Sequence, residues 1–94
     1  MATFFMLGKY SLQGLMGISV RRTNECNKLV KKLGGNVKSI YALLGKYDLA
    51  IIVDFPNSKE AMRASVELAK KTGIAFTTSE AICVKEFDKL MAKK

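Results

Sequence analysis

Residues 49–53, Leu-Ala-Ile-Ile-Val, are apolar at every position and lie between a Gly45-Lys46 turn and Pro56. A run this short, bounded by turn residues, reads as a strand. Successive strand side chains point to opposite faces, so both faces of this one need dry surroundings. A chain of 94 residues makes one domain, with enough helix to cover one face of a small sheet. Something else has to cover the other face, and the remaining sequence indicates what kind of partner that is.

The other elements follow from periodicity and punctuation. Thr3–Tyr10 reads as a first strand rich in aromatics. Ser11–Ile18 has four large apolar residues among glycines and reads as a loop, either a lid or a segment tucked against a sheet edge or a partner. An amphipathic helix then runs to about Leu33, with Arg22, Cys26, Leu29, Val30 and Leu33 on one face and Gly34-Gly35 as its stop. Asn36–Leu44 is a second strand, joined through Gly45-Lys46 to the apolar third. Pro56 ends that strand, because the residue before a proline avoids helical geometry. Asn57, with Glu60 three residues on, caps a second helix. Its inner stripe is Ala61, Met62, Ser65, Val66 and Ala69, and Gly73 stops it. Ile74–Ile82 is a fourth strand, and Val84–Met91 a short tail helix with Phe87, Leu90 and Met91 on one side.

The order β-α-β-β-α-β plus a tail helix specifies an α+β, ferredoxin-like domain over residues 1–94: an antiparallel four-stranded sheet with both main helices on one face. A two-residue turn at Gly45-Lys46 pairs Leu44 with Tyr47, Ala42 with Leu49 and Ile40 with Ile51, and this apolar set belongs under the helices. The opposite parity pairs Leu43 with Asp48, Tyr41 with Ala50, Ser39 with Ile52 and Val37 with Asp54. A face that mixes apolar area with polar groups suits contact with another sheet across a polar-lined cleft. The simplest partner is a second copy related by a two-fold axis, giving a homodimer through the helix-free sheet face.

Five residues are candidates for ligand contact in such a cleft: Lys9, Tyr41, Tyr47, Asp48 and Asp54. Asp48 is either a base or acceptor at the cleft mouth or a cap for its own turn. Tyr41 can donate to a carbonyl ligand or pack at the interface with its hydroxyl wet. Asp54, close before Pro56, also has the simpler task of opening the following helix. Arg21 and Arg22 open the first helix, where an anion could bind if that end faces the cleft.

Composition narrows the chemistry. The chain has no histidine, which removes the commonest general base, the usual haem ligand and most zinc sites. Cys26 and Cys83 lack metal-ligand spacing and read as free thiols in small core positions of a cytoplasmic protein. No metal or cofactor is expected. The net charge of +8 invites a nucleic-acid reading. However, Lys28, Lys31 and Lys32 lie along one helix, Lys70 and Lys71 close the next, and Lys93 and Lys94 end the chain. Lysines at helix ends complement the dipole without a ligand, so nucleic acid is disfavoured as a partner. The N-terminal segment has no signal-peptide pattern and no membrane span is expected.

The stretch "GKYDLAIIVDFP" resembles the signature of the GYD-domain family, a glycine-x-tyrosine-aspartate before an apolar strand and an acidic-x-proline turn. The matching positions are Gly45, Tyr47, Asp48, Asp54 and Pro56, with Asp54 standing in for a glutamate. "FFMLGKY", "GLMGI", "LGGNVKSIYALLGKYD" and "EFDKLM" extend the likeness along the chain. The resemblance implies a ferredoxin-like fold and a dimeric α/β barrel closed by two facing sheets; it implies no agreed activity. Other families of this strand order lack their marks here. There is no acylphosphatase arginine and no metal-chaperone cysteine pair in "SLQGLMGI", no haem-ligating histidine, and no base-stacking aromatic on the third strand. The expected function is a homodimeric small-molecule-binding module. The alternatives are a cofactor-free isomerase or monooxygenase of the dimeric-barrel type, and a structural or assembly protein.

Overall fold

The computed structural model describes residues 1–92; Lys93 and Lys94 lie outside them. In chain order the elements are β1 (Ala2–Tyr10), α1 (Leu12–Met16), α2 (Val20–Lys32), β2 (Asn36–Ala42), β3 (Leu49–Phe55), α3 (Ser58–Thr72), β4 (Ile74–Ala81) and α4 (Val84–Ala92). The strands form one antiparallel sheet in the order β2-β3-β1-β4. This is the ferredoxin-like arrangement that the element order requires.

Alternation builds the core. Phe4 and Met6 of β1 and Ile51, Val53 and Phe55 of β3 are buried, and they meet Val30 of α2 and Ala61, Ala64 and Leu68 of α3. Phe4 and Phe55 pack edge to face with ring centroids 6.0 Å apart, the arrangement that aromatic quadrupoles favour. Asn57 caps α3 as expected, its Oδ1 accepting from the Glu60 N–H at 3.0 Å. Ser19 caps α2 in the same way, accepting from the Arg22 N–H at 3.0 Å.

Several local expectations change. The segment after β1 contains a one-turn helix, α1, started by Ser11, whose Oγ accepts from the Gly14 N–H and donates to Gly73 O at 2.7 Å. Gly73 takes a left-handed φ of +75°, and a Cβ there would lie 2.8 Å from Ser11 Oγ. One glycine therefore both stops α3 and seats α1. The inner stripe of α3 is Ala61, Ala64, Leu68 and Thr72, whereas Met62 and Val66 are exposed beside β4. The β2–β3 connection is longer than a two-residue turn. Ladder pairing stops at Ala42 and Leu49, the Leu43 N–H still donates to Asp48 O, and Leu44 is fully exposed instead of lying under the helices. The register itself holds from Ala42–Leu49 to Ser39–Ile52. An irregularity at Lys38 then shifts it, pairing Val37 with Val53 and Asn36 with Asp54. A bulge adds one residue to its strand, and here it returns Val37 to the helix side, packed against the core.

Candidate functional site

The face without helices is organised in rows across the sheet. One row runs Tyr41, Ala50, Leu7, Thr77, and the next runs Ser39, Ile52, Phe5, Ser79. Neither row contains a charge. Phe5 is 41% exposed on the inner strand β1 and Tyr41 57% exposed on the edge strand β2, so rings stand in the open on a face with no covering layer among the described residues. The charged groups stand at the two ends of the strands.

At one end the loop between β2 and β3 is clamped to β1. The Asp48 N–H donates to Gly8 O at 2.8 Å, and the Asp48 carboxylate accepts from the Tyr10 N–H at 2.9 Å. Lys9 Nζ donates to Lys46 O at 3.1 Å, and the Lys46 ammonium lies 5.8 Å from the ring centre of half-buried Tyr47. The Arg22 guanidinium stacks 5.5 Å from the Tyr10 ring centre and donates to Gly14 O. Arg22 thus ties α2 to α1 and β1.

At the other end Asp54 accepts from Thr3 Oγ1 at 2.7 Å and pairs with Lys38 Nζ at 3.6 Å. Beside this pair the root of α4 meets the open face in a concavity of about 470 Å³, lined by Met1, Thr3, Phe5, Lys38, Glu80, Ile82, Cys83 and Glu86 among others. Asp48 and Asp54 are six residues apart on an extended segment, roughly 20 Å. The five sequence candidates therefore do not converge within one chain. Lys9, Tyr47 and Asp48 stand at one end, Asp54 at the other, and Tyr41 between them opposite Ala50. The residues that line the concavity with Asp54's partners, namely Phe5, Lys38, Glu80 and Glu86, carried no sequence signal beyond the aromatic content of β1, because the register of β1, β2 and β4 and the exit angle of α4 bring them together.

Among the titratable groups Cys26 departs from its ordinary behaviour. Burial pushes its thiol up, opposed by the nearby Arg22 charge and reinforced by Glu25. It is a partly buried thiol packed against the core. Cys83 is exposed at the root of α4, so the expectation of a core position fails there: β4 ends at Ala81 and leaves Cys83 in the connection. Among the described residues there is no cluster of histidine, cysteine or acidic side chains able to hold a metal.

The sheet order and the bare face define the class: a ferredoxin-like α+β domain with one uncovered sheet surface. The GYD-domain family model matches residues 4–91, so the chain belongs to the GYD-domain family. No curated protein matches it significantly. Among solved structures it is similar to the leucine response regulatory protein LrpA of Mycobacterium tuberculosis, with a TM-score of 0.58 and 7% sequence identity, over 87% of this chain and 51% of that one. The chain thus spans about half the length of that neighbour, and the likeness is one of fold. Among the described residues no helix is long and apolar enough to cross a membrane.

Proposed function

We propose that the chain is a homodimeric small-molecule-binding module of the dimeric α/β-barrel type, in which two open sheet faces come together and enclose a ligand cleft. The observation that carries this reading is the pair of uncharged rows, with Phe5 exposed on the inner strand β1 and Tyr41 exposed on the edge strand β2. Apolar area of that kind marks an interface or a binding groove. The ligand that fits is small and partly apolar with a polar end. Apolar rows would hold its body, while Lys9, Tyr47 and Asp48 at one end, Tyr41 between the ends and Asp54 at the other supply polar contacts. Fold-level analogy cannot carry a function, but the neighbour's description names a response to leucine, which makes free amino acids a sensible first panel. The enzyme reading has less support, because the Asp48 carboxylate is already engaged by the Tyr10 N–H. Free thiols at Cys26 and Cys83 support a reducing, cytoplasmic setting.

Native mass by light scattering across a wide dilution range tests the dimer. The expected result is a dimer in the unmodified chain and a folded monomer in Tyr41→Glu, where a buried charge would oppose the interface. A monomer at every concentration of the unmodified chain overturns the proposal. A panel of amino acids and related small acids is then screened by thermal shift; a binder at a hundred times its Kd adds about 2.7 kcal/mol to stability.

A further inference from the structure

The helix α4 has an apolar stripe that nothing among the described residues buries. Val84, Phe87, Leu90 and Met91 recur at helical spacing, and Lys85, Glu86, Asp88 and Lys89 fill the other side. No residue of α4 is buried, and the four apolar ones are between 48% and 71% exposed. A nine-residue helix, about 13 Å long, does not form stably alone in water. The molecule measures 51 Å along its longest axis, against roughly 30 Å for its longest strand. Its Cα radius of gyration of 14.2 Å exceeds the roughly 12 Å of a compact domain this size.

Three observations indicate what covers the stripe. First, the root of α4 opens onto the helix-free face, since Ile82, Cys83 and Glu86 line the same concavity as Thr3 and Phe5. Only Ile82 and Cys83 join α4 to β4, which leaves little chain to fold the helix back over its own sheet. Second, area decides between sheet-only and sheet-plus-helix contact. On the open rows the large side chains that stand exposed are Phe5 and Tyr41, while a stable interface needs about 800 Å² per partner with well over half of it apolar. The stripe of α4 adds Val84, Phe87, Leu90 and Met91, twice as many exposed large apolar side chains as the rows offer by themselves. Third, the charges of α4 cancel, two of each sign, in a chain of net charge +8. An acidic partner would be drawn to the basic helix layer, whereas two copies can meet through neutral surfaces only, and the open rows and α4 are those surfaces.

We infer that α4 is an exchange arm: within the dimer proposed above, on which this inference rests, each copy lays the Val84–Met91 stripe on the other copy and closes one end of the cleft between the two sheets. Contacts across the two-fold axis are then reciprocal, so each dimer carries two such arms.

The test uses full-length protein. Phe87→Ser with Met91→Ser removes half of the stripe without touching the core of either copy. The dimer Kd from dilution light scattering is expected to rise about a hundredfold, and Lys85→Ser on the polar side of the helix to leave it unchanged. For direction, a nitroxide is attached to Lys89→Cys in a background with Cys26→Ala and Cys83→Ser, and mixed with unlabelled-thiol, 15N-enriched chain. The amides of Phe5, Leu7 and Tyr41 of the enriched copy are expected to broaden. An unmodified chain that is dimeric, with a double variant of unchanged Kd or with no broadening across the mixed dimer, overturns the exchange arm and leaves the facing-sheet dimer standing. A monomeric unmodified chain overturns both.

Discussion

Replacing Asp48 by alanine removes the acceptor of the Tyr10 N–H, a part-buried bond of 2.9 Å, and leaves the backbone donor unpaired. An orphaned buried donor costs about 1–3 kcal/mol, and a charge-assisted bond belongs toward the upper half of that range. Asp48→Asn keeps an oxygen at the same place. It loses the charge but not the partner, so its cost is expected to stay under about 1 kcal/mol. For a domain of this size about 2 kcal/mol lowers Tm by roughly 8–16 °C. Urea unfolding at one fixed protein concentration, since association adds to apparent stability, resolves the two variants. Amide exchange at Tyr10 gives a local readout: it should quicken in the alanine variant and stay slow in the asparagine one. Equal losses for the two variants, or an alanine variant as stable as the parent, would refute the clamp. Asp48 would then owe its place to something other than the backbone of β1.

Gly73→Ala meets a left-handed φ of +75° and a pinned Ser11 Oγ 2.8 Å from the new Cβ. A loss of about 2 kcal/mol is expected from urea unfolding; a loss under about 0.5 kcal/mol would show that α1 is not seated there. Iodoacetamide should modify exposed Cys83 well before Cys26, whose thiol burial holds protonated. Peptide mapping after partial reaction reads the order directly. Because the folded thiol of Cys26 loses its proton at higher pH than a free thiol does, its contribution to stability is fully present below the free thiol's ordinary range and is lost as the pH rises through the folded value. The alkaline decline in unfolding free energy should therefore shrink in Cys26→Ala.

Much of the fold is local and therefore legible in the chain. An unbroken apolar run between turn residues marks β3, Pro56 ends it, Asn57 with Glu60 starts α3, and Gly73 ends that helix. Each of these signals acts within one turn or one strand. The expectations that the structure overturns depend on partners distant in sequence. Met62 and Val66 fit a helical period as well as Ala64 and Leu68 do, and only the position of α3 over β1 and β4 chooses between the two stripes. The bulge at Lys38 has no mark in a segment whose neighbours alternate acceptably on either side of it. Ser11 and Gly14 read as loop residues until Gly73, some sixty positions away, supplies the carbonyl that holds them.

The candidate site divides in the same way. That one face of β3 lacks a covering layer follows from five consecutive apolar residues in a chain with helices for one side only, because strand side chains must alternate. The GYD resemblance was equally legible, since Gly45, Tyr47, Asp48 and Pro56 lie close together in sequence. The grouping of polar residues was not. Asp48 and Asp54 are near neighbours on the chain, but an extended backbone separates them by the length of the sheet. Thr3, Lys38 and Glu86, remote in sequence, gather around one concavity because three strands and the root of α4 converge there. The sequence by itself determined the main strands and helices, their order and the sheet face that those helices leave bare, through short-range backbone and burial preferences. Tertiary structure alone decided which side chains share an end of that surface, because strand register and helix exit direction are set by contacts between residues far apart in the chain.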